Sequence, residues 1–450
     1  MYGKLSIHRA PPLSVPIRFF LTAPLFGILA ALILLVTGPD VLASRWTPGM
    51  LALTHCLTLG FFASIMIGAV QQLLPVLAGS VFPRPRLTAT IIYVLWLPGV
   101  ILLIVAFFNF KPVLVISALI LLSAAILFFV STALYSLLNA PVAVESIQGI
   151  AFAVLSLFVT FIFGFLLALG YTGVVPLWRP ALTNLHLAWG IVGWISVLIM
   201  VVAWQVLPMF QITRPYPVLL RNLTVPGACF LLLAKTMFAW TGHTAPGLFS
   251  GHIIDLALVT GFLCFALVTL YLQLVSSRRA RDSHRDFWVL AMLNLVLSLS
   301  LWLAAGIYPN PLFYLLAGAV FLLGFVMAIV TAMVLKITAF LIWLHLRTLV
   351  DEHRMDKDQH KFSIPKMKYI ITDTRGYILL ASLVFAESGI IAAVCNPRMM
   401  TAAAAIAWLI FFCLLAAVLT STVYRYYRTV RIFTREYGTG VTPQAHPRNC

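Results

Sequence analysis

Two histidines stand at matching places inside long apolar stretches. "LALTHCLTLGFFASIMIGAVQQLLPVLAG", residues 51–79, carries His55 near its start and Gln71–Gln72 near its end; "LTNLHLAWGIVGWISVLIMVVAWQVLPMF", residues 182–210, carries His186 near its start and Gln205 before Pro208. Neutral imidazole is the commonest protein ligand for transition metals, and two rings from facing helices can clamp one iron. Haem or copper is therefore the cofactor chemistry to test. The simpler use of each ring is a hydrogen bond to one neighbouring helix, because ionisable groups in a membrane turn toward the bundle interior whether or not they form a site. On a helix the face of His186 continues through Trp189, Gly190 and Gly193, and that of His55 through Thr58, Leu59 and Phe62. Gly190 and Gly193 leave flat space for another helix backbone or for a planar macrocycle. Cys56 adjoins His55 but points about 100° away and reads as a packing residue. His252 opens another apolar stretch and is a reserve ligand.

The elements that must hold these rings are membrane helices. The 450-residue chain is 62% hydrophobic and 9% charged, with a mean hydropathy of +1.05, more apolar surface than a soluble domain can bury. The expected fold class is all-α, a polytopic membrane protein with the lipid bilayer as its first partner. A crossing needs about 20 apolar residues. Twelve such stretches begin near Ile17, Met50, Leu87, Pro112, Ser146, Ala181, Leu220, Gly251, Asp286, Pro311, Gly376 and Thr401. The chain thus divides into an N-terminal segment (1–16), ten helices (17–346), a charged loop (347–375), two last helices (376–426) and a tail (427–450), the end of which reads as disordered. The loop holds His353 and His360, which read as a solvated surface. The six cysteines form no CxxC pair and behave as small hydrophobes rather than a disulfide or zinc framework.

The net charge of +17 has a membrane explanation that needs no nucleic acid. With the N-terminus inside, 23 of the 29 Lys and Arg fall in cytoplasmic segments and four (Arg45, Lys111, Arg179, Arg398) in outer loops; Lys235 and Lys336 lie within spans. This bias predicts cytoplasmic termini and a multi-pass protein of the cell (inner) membrane. His55 and His186 then lie in the outer half of the bilayer.

Aligning Gly60-Phe61, Gly193-Trp194 and Gly324-Phe325, 133 and 131 residues apart, sets Gln72, Gln205 and Lys336 at one equivalent position and Pro75, Pro208 and Ala339 at another. These are the second, sixth and tenth helices. The spacing predicts a pseudo-threefold repeat of four helices. Within the spans, Lys235, Asp255, Lys336 and Glu387 need partners or water, since a charge at bilayer depth costs about 2.5–3.5 kcal/mol on insertion scales. Lys235–Asp255 and Lys336–Glu387 are the pairings offered by charge balance. With Gln72 and Gln205 these groups form either a proton path or interior ion pairs.

Twelve spans in a threefold repeat, with "THCLTLGFFASIMIGAVQQLLPVLAG" on the second, resemble the haem-copper oxidase subunit I superfamily; the same segment is similar to NnrS-type membrane proteins linked to nitric oxide. The resemblance implies that His55 is an axial haem ligand, with His186 the second ligand to the same haem or a ligand to copper. It departs from the oxidases where their chemistry resides. "PLFYLLAGAVFLLGF" on the tenth helix contains no His-x-His, "LRNLTVPGACFLLLAKTMFAWTG" on the seventh has no His-His pair, and Gly190 stands where the sixth would carry Tyr. No oxygen- or nitric-oxide-reducing binuclear centre can be assembled, so an oxygen reductase is not expected. What the resemblance implies is electron transport, nitric oxide response or respiratory-complex assembly, with respiratory-chain or cytochrome subunits as partners. Two further readings are a secondary transporter coupled through the intramembrane charges, and a cofactor-free scaffold subunit. Phosphate-binding loops, nucleophile elbows and zinc-protease motifs are absent.

In a bacterial host, a fluorescent protein that matures only in the cytoplasm, fused after Cys450, should fluoresce, and alkaline phosphatase fused at Lys111 should be active. The reverse pattern would invert the topology.

Overall fold

The computed structural model describes residues 9–140, 145–173, 179–241, 248–277, 282–308, 310–352 and 364–437. Twelve helices long and apolar enough to cross a membrane account for most of them, and no strand occurs among the described residues. They are α1 (Ser14–Ala43), α2 (Pro48–Leu77), α3 (Pro85–Phe107), α4 (Pro112–Leu138), α5 (Ser146–Tyr171), α6 (Pro180–Gln211), α7 (Val218–Ala239), α8 (Ile253–Leu274), α9 (Ser283–Ile307), α10 (Pro311–Val350), α11 (Asp373–Cys395) and α12 (Pro397–Arg435). The chain is an all-α, multi-pass membrane protein. Proline opens six of the twelve, because the first helical position needs no N–H and the ring presets φ. Thr47 caps α2 by accepting the Met50 N–H at 3.2 Å. An even number of crossings brings both chain ends to one side, called here the terminal face.

Every span begins within four residues of its expected start. The far ends differ more. The helix of α10 runs to Glu352 rather than stopping at 346, and that of α12 runs to Tyr437 rather than 426. Hydropathy falls where charges begin, but backbone hydrogen bonds continue outside the apolar layer, since Arg, Leu and Glu are good helix formers. Residues 353–363, with His353 and His360, and 438–450 lie outside the described residues.

The pseudo-threefold repeat is visible in the packing. Within each repeat the first helix touches the third: α1 on α3, α5 on α7, α9 on α11. Successive repeats join last helix to first, α4 to α5 and α8 to α9, and α12 closes the ring on α1. The second helix of each repeat lies inside: 61%, 72% and 83% of the apolar stretches of α2, α6 and α10 are buried, against 56% or less for every other span.

Each inner helix also carries a π segment: Cys56–Ala63, Trp189–Ser196 and Val320–Val326. Their starts are 133 and 131 residues apart, and each has its repeat glycine in fifth place. A Cβ added at Gly60 would meet Phe26 of α1 at 2.3 Å, at Gly193 Ser156 of α5 at 2.6 Å, and at Gly324 Asn294 of α9 at 2.6 Å. Each inner helix therefore meets the helix before it at its π turn, where only glycine fits. Two of the turns are pinned by serine: Ser64 Oγ donates to Leu59 O and Ser196 Oγ to Ile191 O, both five residues back.

Ring closure rests on a similar fit. A Cβ at Gly27 of α1 would lie 2.2 Å from the Phe412 ring of α12. Gly27→Val should cost about 1–3 kcal/mol by overpacking, measured as a lowered unfolding temperature in detergent, and Phe412→Ala should relieve it. An unchanged unfolding temperature would remove the contact from the closure.

Candidate bis-histidine centre between the first two repeats

His55 lies seven residues after Pro48 and His186 six after Pro180, so each lies about 9–11 Å along its helix from the face opposite the termini. The inner helices bring them together. The ring centroids are 6.3 Å apart and the planes are 22° from parallel. The Arg45 guanidinium, in the α1–α2 connection, donates to Asn184 Oδ1 at 3.1 Å and so ties the entrance of α2 to that of α6. Burial lowers the Arg45 pKa from its ordinary value.

Backbone carbonyls orient both rings. His55 Nδ1 donates to Leu51 O at 2.8 Å, one turn back, and His186 Nδ1 donates to Thr160 O of α5 at 2.9 Å. A carbonyl only accepts, so Nδ1 carries a proton in each ring, and in the neutral ring the Nε2 lone pair is free. This is the tautomer a metal-binding imidazole takes, with its second nitrogen held by a carbonyl. With metal–nitrogen bonds of about 2.0–2.1 Å and about 1.1 Å from nitrogen to ring centre, two imidazoles in line on one ion have centroids about 6.3 Å apart. The observed separation is of that size, with the two rings stacked.

The surroundings are mostly aromatic and tight. Phe107 of α3 lies 4.8 Å from the His55 ring, centroid to centroid, and Phe107, Phe110 and Tyr171 continue as an aromatic row beside a small apolar cavity. On the other side, Gly164 of α5 makes room for His186: a Cβ there would be 2.8 Å from Cε1 and 3.2 Å from Nδ1. The space beside Gly190 and Gly193 is taken by Thr160 and Ser156 of α5, so these glycines serve close helix contact. Trp189 Nε1 donates to Thr236 of α7 at 2.9 Å. Cys56 is fully buried. His252 falls in the helix Leu248–Leu274, and its side chain is outside those described.

Among the described residues no group of three or more His, Cys, Asp or Glu is gathered to hold a metal. A closed protein metal site takes four ligands; here the pair supplies two. Two nitrogens is the number that haem, or a copper ion of low coordination number, would take from protein; the cavity beside Phe107, Phe110 and Tyr171 is far smaller than a macrocycle.

The other polar groups are dispersed. Lys235 pairs with Asp255 at 2.5 Å. Lys336 does not reach Glu387; it pairs with Asp282 at 3.6 Å and stands over the Phe210 ring at 5.3 Å, because the tenth helix turns this position toward the start of α9. Gln205, its counterpart, donates to Ser146 at the start of α5 at 3.1 Å. Gln72 is buried with neither amide atom bonded to protein, and it borders an apolar cavity between α2, α6 and α10. Glu387 accepts from Asn294 at 3.0 Å. Asp282, His284 and Asn294 were not apparent from sequence: with the ninth span begun at Asp286, the first two read as loop, and a lone asparagine gives no sign of its partner.

No protein-family model matches the chain, and no curated protein is detectably similar to it.

Gly164→Val should cost about 1–3 kcal/mol, read as a lowered unfolding temperature, and the cost should shrink in a His186→Ala background because the obstructing ring is gone. Equal costs in both backgrounds would show that Gly164 does not shape the His186 pocket.

Proposed function

We propose that this protein is a haem-binding integral membrane protein that transfers electrons without reducing oxygen, with His55 and His186 as the two axial ligands. The observation that carries the proposal is the ring pair: two imidazoles on inner helices, each held through Nδ1 by a backbone carbonyl, with centroids 6.3 Å apart. Bound haem supplies a one-electron couple. The chain's residues would hold and orient it. Leu51 O and Thr160 O fix the ring tautomers, Gly164 gives His186 its place, and the Phe107 row keeps the surroundings apolar and excludes water. Were both rings to bind the iron, protein nitrogen would leave no position for oxygen or nitric oxide, and electron transfer would be the favoured chemistry.

The charge bias and the resemblance to the oxidase subunit extend the proposal. The terminal face is cytoplasmic, the histidines lie near the outer surface of a cell (inner) membrane, and the electron partners are cytochrome or respiratory-chain subunits.

Protein purified in detergent should show a Soret band in stoichiometric amount, lost or shifted to a five-coordinate spectrum in His55→Ala and in His186→Ala. Copper by metal analysis without a Soret band would transfer the site to copper. A colourless, metal-free protein after expression with haem supplementation would sink both.

A further inference from the structure

Glu387 lies fourteen residues into α11, about 21 Å along a helix that crosses the layer, and is 6% exposed. Asn294 Nδ2 of α9 donates to Oε2 at 3.0 Å, while Oε1 is buried with no protein partner. The π turn of α10 makes room for it: a Cβ at Gly324 would fall 2.3 Å from Oε1. No ion pair joins Glu387 to a described residue. The titratable groups of the helices around it are remote. Those of α9 (His284, Arg285, Asp286) are at its terminal end. On α10, Lys336 is paired with Asp282 about 18 Å beyond Gly324, and Tyr314, His345 and Arg347 are near the ends. On α12, Arg398 and the Tyr and Arg residues from Tyr424 onward are near the ends, and Cys413 is exposed. On α11 itself, Asp373, Arg375 and Tyr377 open the helix and Cys395 closes it.

A carboxylate buried without a counter-cation is far costlier than a neutral acid holding one hydrogen bond. We propose that Glu387, positioned by Asn294, is a proton-binding site at mid-membrane that exchanges its proton with water entering from the terminal face along the α9–α10 seam. Between the level of Glu387 and the terminal face, Trp288 of α9 and Thr331 of α10 each carry a buried polar atom, Nε1 and Oγ1, without a protein partner. Thr331 follows Gly324 by seven residues and so shares its face; most other threonines in the spans, Thr58 and Thr160 among them, spend their hydroxyl on a carbonyl one turn back. On release the O–H bond of the acid breaks, the electron pair stays on Oε1, and the proton passes to water; uptake reverses this. The site is independent of the histidine pair and stands whether or not haem is bound.

Infrared spectra of the full chain in lipid test it. The partly buried Asp255 near the start of α8 and the buried Asp282 are paired with Lys235 and Lys336, so a protonated-carboxyl carbonyl band at neutral pH should belong to Glu387. Glu387→Gln, which keeps the Asn294 hydrogen bond, should abolish the band. Glu387→Asp and Asn294→Leu should shift it, and Thr331→Val should slow its hydrogen–deuterium exchange severalfold. A band that survives Glu387→Gln, or none in the folded wild type throughout the neutral range, would overturn the site; exchange unchanged in Thr331→Val would overturn the route.

Discussion

The three inner helices approach their outer neighbours so closely at Gly60, Gly193 and Gly324 that no side chain fits between them, and the rest of the bundle is arranged about those contacts. Apolar burial does little to drive helix association inside lipid, so close backbone approach and satisfied polar groups must supply much of it. A π turn widens the helix and disturbs its ladder of hydrogen bonds. The protein accepts that at the three places where a glycine lets a neighbouring helix fill the widened turn, and in two of them a serine hydroxyl takes up a carbonyl. The histidines stand at the edge of this distortion: His55 directly precedes its π segment and His186 is three residues from its own.

The repeats share a scaffold but not a chemistry. The residue sixteen places after each π start is Gln72, Gln205 or Lys336, and two of these bond at the start of the helix before, to Ser146 of α5 and to Asp282, which caps α9. The first repeat has kept the glutamine without such a bond. The first two repeats each give an imidazole to their shared boundary. The third has alanine at the corresponding depth and carries its polar investment in Asn294 and Glu387 instead.

Much of this was legible in the sequence because hydrophobic length is read directly: the spans, their order and the 133- and 131-residue spacing depend on composition and interval alone. The depth of His55 and His186 followed from the same count. The π turns were not legible, because one extra residue in a helical turn leaves no mark on hydropathy. Gly164 was missed for a related reason: its role exists only opposite a ring 22 residues later in the chain. The partner of Lys336 was misassigned because charge balance restricts which residues can pair without saying which way a helix is rotated.

A widened turn in mid-helix has one more effect. The two halves of α2, and likewise of α6, are joined by a segment whose hydrogen bonds skip an additional residue, so the half bearing the histidine is turned from the angle a regular helix would give it relative to the other half. A regular helix would transmit any rotation needed to aim His55 straight to the Gln72 end, some 25 Å away. Here the widened turn resets that angle between the His55 end and the Gln72 end.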